Sequence, residues 1–323
     1  MADGGLTVLD GSHLRAVDLH LPEVGGFFTG GQVIEIAESQ VSSSLFGLSL
    51  PESLKAAALQ RISLDIDSFR DAKLDREQAS SKLEDYVIAI ASELRDDPLV
   101  VSVLDGSPLK LFLEDEDDFA MLAENLFTDL DTEEKGKIRK NQIRNALVRM
   151  GVEMGVPPFS AFSRLEDILK EHKAEGDEAL GQAQFAQLLQ LVLQELADIL
   201  AEQNIVVIQN VKIINDSKLK KFMADENKLN DEIEKAFQCA SKEGRGSTEI
   251  IRSYLEQNGP NIGLPPPEAN EAANFYDQVF ADVEKGESRE KIDRDEFEWI
   301  MKNILEKFAE QLEANPVFHG LDS

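Results

Sequence analysis

Oxygen-bearing side chains cluster in the short segment that follows the apolar residues before position 131. Asp131 and Glu133 supply carboxylates, and Gln142 supplies an amide oxygen at the far end of the segment. Gly136 comes five residues after the first acid, and the aliphatic Ile138 comes two residues later. Carboxylate and amide oxygens are the ligands that hard divalent cations prefer. Cation binding is therefore the chemistry that this segment could perform.

The charge of the whole chain favours the same ligands. Across 323 residues, 62 Asp and Glu outweigh 33 Lys and Arg, which gives a net charge of −29. Such a chain is repelled by phosphate backbones and anionic lipid surfaces, so we predict no nucleic-acid partner. The apolar run from Phe185 to Leu200 is interrupted by glutamines and Glu195, which predicts a buried helix and no membrane insertion.

The Asp131 segment resembles the loop of the EF-hand calcium-binding family. In that twelve-residue loop, oxygens at positions 1, 3, 5, 7, 9 and 12 surround Ca²⁺, and glycine at position 6 permits a sharp turn. Asp131 takes position 1, Gly136 position 6, Ile138 position 8 and Gln142 position 12. The resemblance implies Ca²⁺ as the cofactor, with Mg²⁺ as a competitor, and Asp131, Glu133 and Gln142 as weak ligands.

The same register fits four other segments. They are 67–78, 173–184, 241–252 and 284–296, the last with one extra residue. The resemblance implies further weak ligands, which are Asp67, Asp71, Asp75, Glu284 and Glu296.

Most of these loops depart from the pattern of a strong site. Such a site needs three or four carboxylates and a glutamate that binds through both oxygens at position 12. Lys135, Lys173 and Arg252 place positive charge at ligand positions, and Gln78 is neutral at position 12. We therefore expect weak or vestigial calcium binding.

The first unit is expected to hold a truncated hand. Gly31 and Val33 resemble positions 6 and 8 of a loop, but too little chain precedes them for a full entering helix.

A repeat divides the chain into three units. The segments 6–14, 101–109 and 211–219 align without gaps on Ser12, Ser107 and Ser217. We predict units at 1–99, 100–205 and 206–323. The predicted fold is mainly α, with three tandem EF-hand-like helix-loop-helix pairs and short strands between paired loops and between units.

Recognisable enzyme motifs do not occur. The sequence has no glycine-rich phosphate loop, no nucleophile elbow and no zinc-protease motif, which predicts a non-enzyme. The only cysteine, Cys239, follows Phe237 on an apolar helix face and is expected to be buried. The start of the chain lacks a secretory pattern, so we expect a cytoplasmic location, with the nucleus as the alternative.

Three functions fit these observations. The first is an interaction scaffold with weak calcium binding, whose partner is a protein that presents a basic or amphipathic helix. The second is a calcium sensor, whose affinity for its partner must change with Ca²⁺. The third is a metal-free α-solenoid adaptor built from helix pairs. Trp299 could anchor a partner, although its spacing with Ile300 and Ile304 also predicts core packing.

Overall fold

The computed structural model describes residues 6–23, 26–62, 66–243, 247–267, 272–283 and 293–320, and these are mainly helical with short strands. The elements of unit one are β1 (Leu6–Leu9), a 3₁₀ turn (His13–Ala16), β2 (Phe27–Thr29), α1 (Gly30–Ser44), α2 (Glu52–Arg61), α3 (Ile66–Arg70), β3 (Lys73–Asp75) and α4 (Arg76–Asp96). Those of unit two are β4 (Leu99–Leu104), α5 (Ser107–Glu114), α6 (Glu116–Leu130), β5 (Ile138–Arg139), α7 (Gln142–Met150), a 3₁₀ turn (Val152–Met154), α8 (Arg164–Glu171), β6 (Ala179–Leu180), α9 (Gln182–Glu202) and β7 (Ile205–Ile208). Those of unit three are β8 (Lys212–Ile214), α10 (Asp216–Ala224), α11 (Glu226–Glu243), α12 (Ser247–Ile262), α13 (Ala272–Val283), α14 (Arg294–Ala314) and β9 (Val317–His319).

Each unit joins the strand at its start to the strand at its end. The antiparallel pairs are β1 with β4, β4 with β7 and β8 with β9. Equivalent positions of the repeat meet in these pairs, namely Leu9 with Leu99, Leu104 with Ile205 and Ile214 with Val317. Strand β4 therefore belongs to both unit one and unit two. The predicted boundary at residue 99 falls within this strand.

Each unit has its own buried core. The three clusters of buried apolar side chains run from Leu9 to Val101, from Leu104 to Leu200 and from Leu219 to Val317. The long helix that ends each unit, α4, α9 or α14, packs against the shorter helices of the same unit. Burial of these apolar stripes is the main favourable contribution to the stability of such helices.

Strands also join the loops within units one and two. Ile138 of β5, at position 8 of its loop, lies opposite Leu180 of β6, at position 8 of the next loop, so these two loops are joined by the short strands that were predicted. In unit one, Phe28 of β2 lies opposite Leu74 of β3. The assignment of Gly31 and Val33 to positions 6 and 8 was therefore wrong, because both residues belong to α1 and Val33 is buried in the core.

Unit three does not repeat this loop pairing in the residues that the structure describes. Helix α12 already begins at Ser247, so residues 247–252 of the predicted loop are helical. A strand at position 8 of that loop is therefore excluded.

Trp299, whose spacing fits either a partner contact or core packing, is 66% exposed, whereas its neighbours Ile300 and Ile304 are buried. Two predictions of burial were wrong. Cys239 is exposed. Leu191 is half exposed on α9, so that helix buries one face instead of its whole surface.

Candidate metal-binding loops

The carboxylate of Asp131 organises its own loop. Oδ1 accepts a hydrogen bond from the Lys135 backbone N–H (3.0 Å), and Oδ2 accepts one from that of Gly136 (2.6 Å). Gly136 has a φ of 67°, which a residue without a side chain adopts readily, and Glu134 also has positive φ (50°). The loop is thus a tight turn closed by one carboxylate.

The other two candidate ligands of this loop have protein partners. Glu133 is paired with Lys135, whose hydrogen bond and positive charge lower the pKa of the Glu133 carboxyl. The Gln142 amide oxygen accepts a hydrogen bond from Asn145 Nδ2 (2.7 Å). A cation at this loop would therefore compete with Lys135 for Glu133 and with Asn145 for Gln142.

The loop at 67–78 uses its last residues to begin a helix. Asp75 is the N-cap of α4, and its Oδ1 accepts the backbone N–H of Gln78 (2.9 Å). In return, Gln78 Oε1 accepts the backbone N–H of Asp75 (3.1 Å), which completes a capping box. Asp71 is exposed, and the side chain of Asp67 lies outside the described set.

The second loop of unit two, 173–184, ends in a similar way. Gln184 Oε1 accepts the backbone N–H of Gly181 (3.0 Å) at the start of α9. Lys173, at position 1, has a φ of 51° just after α8, and the following residue Ala174 is buried. At the position where a calcium loop begins, this chain therefore has the positive side chain of Lys173, followed by a buried residue.

The candidates of unit three can be placed only in part. Glu284 lies outside the described residues. Glu296 is exposed in the first turn of α14, where its backbone N–H donates to the N-cap Asp293 Oδ1 (2.9 Å). Arg252 forms ion pairs with Glu256 (2.9 Å) and Asp277 (2.6 Å).

A capping pair that the sequence analysis missed lies in unit one. Thr29 Oγ1 accepts the backbone N–H of Gln32 (3.2 Å), and Gln32 Oε1 accepts that of Thr29 (2.8 Å). Because Phe28 lies opposite Leu74, Thr29 and Gln32 are equivalent to Asp75 and Gln78. The signal was a threonine followed three residues later by glutamine, directly before an apolar helix.

The structure does not bring the predicted ligands together. Over the described residues, no group of three or more His, Cys, Asp or Glu side chains is arranged to hold a metal ion. None of the helices described is both long enough and apolar enough to span a membrane.

No protein-family model, curated protein or solved structure matches this chain. Its function is therefore inferred from its own sequence and geometry.

Proposed function

We propose that the chain is an interaction scaffold of EF-hand-like paired loops that keep their shape with little or no bound Ca²⁺. The observation that carries this proposal is the shared role of Gln32, Gln78 and Gln184, each of which accepts the backbone N–H three residues before it. A calcium loop places a glutamate there, which binds the ion through both oxygens. In these three loops a neutral amide caps the start of the exit helix instead, so the helix can begin there without a metal ion.

The strand pairs support paired loops over an α-solenoid. Position 8 of one loop lies opposite position 8 of the next at Ile138 and Leu180, and Phe28 lies opposite Leu74. A solenoid of helix pairs would join its repeats through helix faces, without a strand pair between neighbouring loops.

A calorimetric titration of the full chain with Ca²⁺, in physiological Mg²⁺ and salt, tests the proposal against the sensor alternative. We expect no saturable heat at micromolar Ca²⁺ and the same melting temperature with Ca²⁺ and with a chelator. Asp131→Ala and Glu296→Ala should leave the titration unchanged, as should Glu114→Ala, a control outside the loops. Saturable heat that is lost in Asp131→Ala or Glu296→Ala but kept in Glu114→Ala would overturn the proposal, locate a calcium site and favour the sensor alternative.

A groove in unit one supports a partner helix. It has a volume of about 630 Å³ and is lined by the first 3₁₀ turn, the segment that follows this turn and helix α4. Its apolar lining is formed by Leu14, Val17, Leu19, Val87 and Ile88. Glu84 adds a negative charge at its wall and Arg15 a positive one. Ile88 is 48% exposed, which is the arrangement that an apolar anchor of an amphipathic helix would cover.

The net charge of −29 favours a basic partner, because a helix with a basic polar face is attracted electrostatically to this chain as a whole. An 18-residue helical peptide of leucine and lysine is a suitable probe. We expect it to bind equally in Ca²⁺ and in chelator, and Ile88→Asn to weaken binding by about tenfold, a typical loss for an apolar anchor. Met121→Asn removes another exposed apolar side chain (60% exposed) outside the groove and should not change the affinity. Equal losses in both variants would exclude the groove as the docking surface.

A further inference from the structure

A cleft of about 520 Å³ lies where the end of unit one meets unit three. Its apolar lining comes from Ile213 and Ile214 of β8 and from Pro260, Leu264 and Pro266. Ile213 and Leu264 are buried, and both prolines are half-buried, so the interior of the cleft is largely apolar. This volume is typical of sites for small organic ligands.

The rim of this cleft is basic, although the chain as a whole is strongly acidic. Lys212, Lys218, Lys221 and His319 line it, together with Asp96 and Asp97. Lys221 is already neutralised by Asp96, which also accepts hydrogen bonds from Arg61 and Ser217. Within the described residues, Lys212 and Lys218 form no ion pair, so their charges are available to a ligand.

The repeat provides an internal control for this charge. At the positions equivalent to Lys212, Lys218, Lys221 and His319, unit two has Ser102, Pro108, Leu111 and Val207, and unit one has Thr7, His13, Ala16 and Val101. Units two and three nevertheless share a backbone contact at this place. Gly155 of unit two packs against Leu109, and Gly263 of unit three packs against the equivalent residue Leu219. Three lysines are therefore particular to unit three and are not needed by the fold that the units share.

We propose that this cleft binds a small amphipathic carboxylate, such as a medium-chain or aromatic acid. Its apolar body would lie between Ile213 and Leu264, and its carboxylate would meet Lys212 and Lys218. Hydrogen bonds between ammonium and carboxylate groups are among the stronger polar contacts in proteins. An apolar interior with a few charged groups at its edge is the usual arrangement of a site that orients such a ligand.

Calorimetric titration of the full chain with decanoate tests the proposal, with decanol and decylamine as probes that share its apolar body. We expect saturable binding of decanoate at this cleft, weaker binding of decanol there and no binding of decylamine there. The double variant Lys212→Gln/Lys218→Gln should weaken decanoate binding by at least about tenfold, as expected when hydrogen bonds to a charged group are lost. Lys137→Gln removes an exposed lysine outside the cleft and should leave the affinity unchanged.

Amide NMR shifts on adding decanoate locate the site independently of the variants. They should concentrate at Ile213, Ile214 and Leu264. The proposal is overturned if decanoate binding does not saturate, if decylamine shifts the same cleft amides, or if the decanoate shifts lie elsewhere. It is also overturned if Lys212→Gln/Lys218→Gln binds decanoate as tightly as Lys137→Gln does. None of these readouts depends on Ca²⁺, so they are separate from the test of the scaffold.

Discussion

Units two and three share a backbone plan but fill it with different side chains. Strand β4 of unit two is paired on both edges, with β1 and β7, whereas β8 of unit three pairs only with β9 in the described part of the chain. Gly106 follows β4, and its equivalent after β8 is Asp216, which forms an ion pair with Lys220 (2.6 Å). The comparison shows that the repeat constrains strand pairing and helix ends, while surface chemistry and core composition vary between units.

At one core position of its long closing helix, unit three has an aromatic residue where unit two has an aliphatic one. Phe308, which is fully buried on α14, contacts Phe275, Tyr276 and Phe280 at ring centroid distances of 5.2, 5.0 and 5.9 Å. The equivalent residue of α9 is Leu196. Unit three therefore depends on one ring cluster that unit two does not have.

The largest effect is expected from Phe308→Ala. Removing the central ring leaves a cavity among three aromatic side chains, and such changes cost about 3–5 kcal/mol of unfolding free energy. Leu196→Ala, the matched change in unit two, should cost about 2–5 kcal/mol, and less than Phe308→Ala. Urea unfolding followed by circular dichroism measures both, and a larger loss in Leu196→Ala would contradict the importance of the ring cluster.

Gly106→Ala tests the close approach between Gly106 and α9 in unit two. Unit three has Asp216 at the equivalent position. Gly106 has a φ of 78°, and a Cβ there would lie 2.2 Å from the Ala197 carbonyl oxygen of α9. Backbone strain and this clash together should cost about 2–4 kcal/mol of unfolding free energy.

Gly47→Ala is the control for Gly106→Ala. Gly47 has a similar φ of 83°, but no atom lies within 4 Å of its added Cβ. It should show the cost of backbone strain alone, about 1–2 kcal/mol. Equal losses in the two variants would mean that α9 moves away from the added methyl group.

Asp96→Asn tests the contact between units one and three. Burial of Asp96 disfavours its charged form and by itself would raise its pKa. Hydrogen bonds from Lys221, Ser217 and Arg61 have the larger combined effect, so the pKa of this carboxyl is lowered. Losing the charge should cost about 1–3 kcal/mol of unfolding free energy at neutral pH, the range for hydrogen bonds to charged groups.

The sign of the pH dependence follows from the lowered pKa of Asp96. Its contribution is fully present above the unfolded pKa, near 4 for aspartate, and is lost as pH falls through the lower folded pKa. The difference between the wild-type chain and Asp96→Asn should therefore be constant from about pH 6 to 8 and shrink below about pH 4. A difference that instead grows on acidification would contradict this ion-pair network.

The sequence could predict whatever depends on local pattern. The helical class and the Ile138–Leu180 strand pair follow from apolar periodicity and loop register, so these predictions were confirmed. The Thr29–Gln32 capping box could also have been predicted from the sequence. It was missed because Gly31, two residues after Thr29, was assigned to position 6 of the loop, which shifts the register.

Features that need distant segments could not be predicted. Lys212, Leu264 and Asp97 are far apart in sequence, and only the packing of unit three against the end of α4 brings them to one cleft. The exposure of Trp299 likewise depends on which helix face the other elements of unit three cover, and its spacing fits either outcome.

The smallest effects come from the two loops of unit two, whose last residues differ in role. Gln184 accepts the backbone N–H of Gly181 at the start of α9, whereas among the described residues the Gln142 side chain bonds only the side chain of Asn145 in α7. Gln184→Ala should therefore cost about 0.5–1 kcal/mol of unfolding free energy, as for a lost helix cap. Gln142→Ala should cost less than about 0.5 kcal/mol, because no backbone group loses its partner.

Urea unfolding of Gln184→Ala and Gln142→Ala, each measured with Ca²⁺ and with a chelator, tests this difference. A Ca²⁺-dependent loss in Gln142→Ala would show that its amide oxygen holds an ion, and would make the Asp131 loop an exception among the metal-independent loops. If neither variant depends on Ca²⁺ and only Gln184→Ala is less stable, helix capping by a neutral amide has replaced ion binding in this unit.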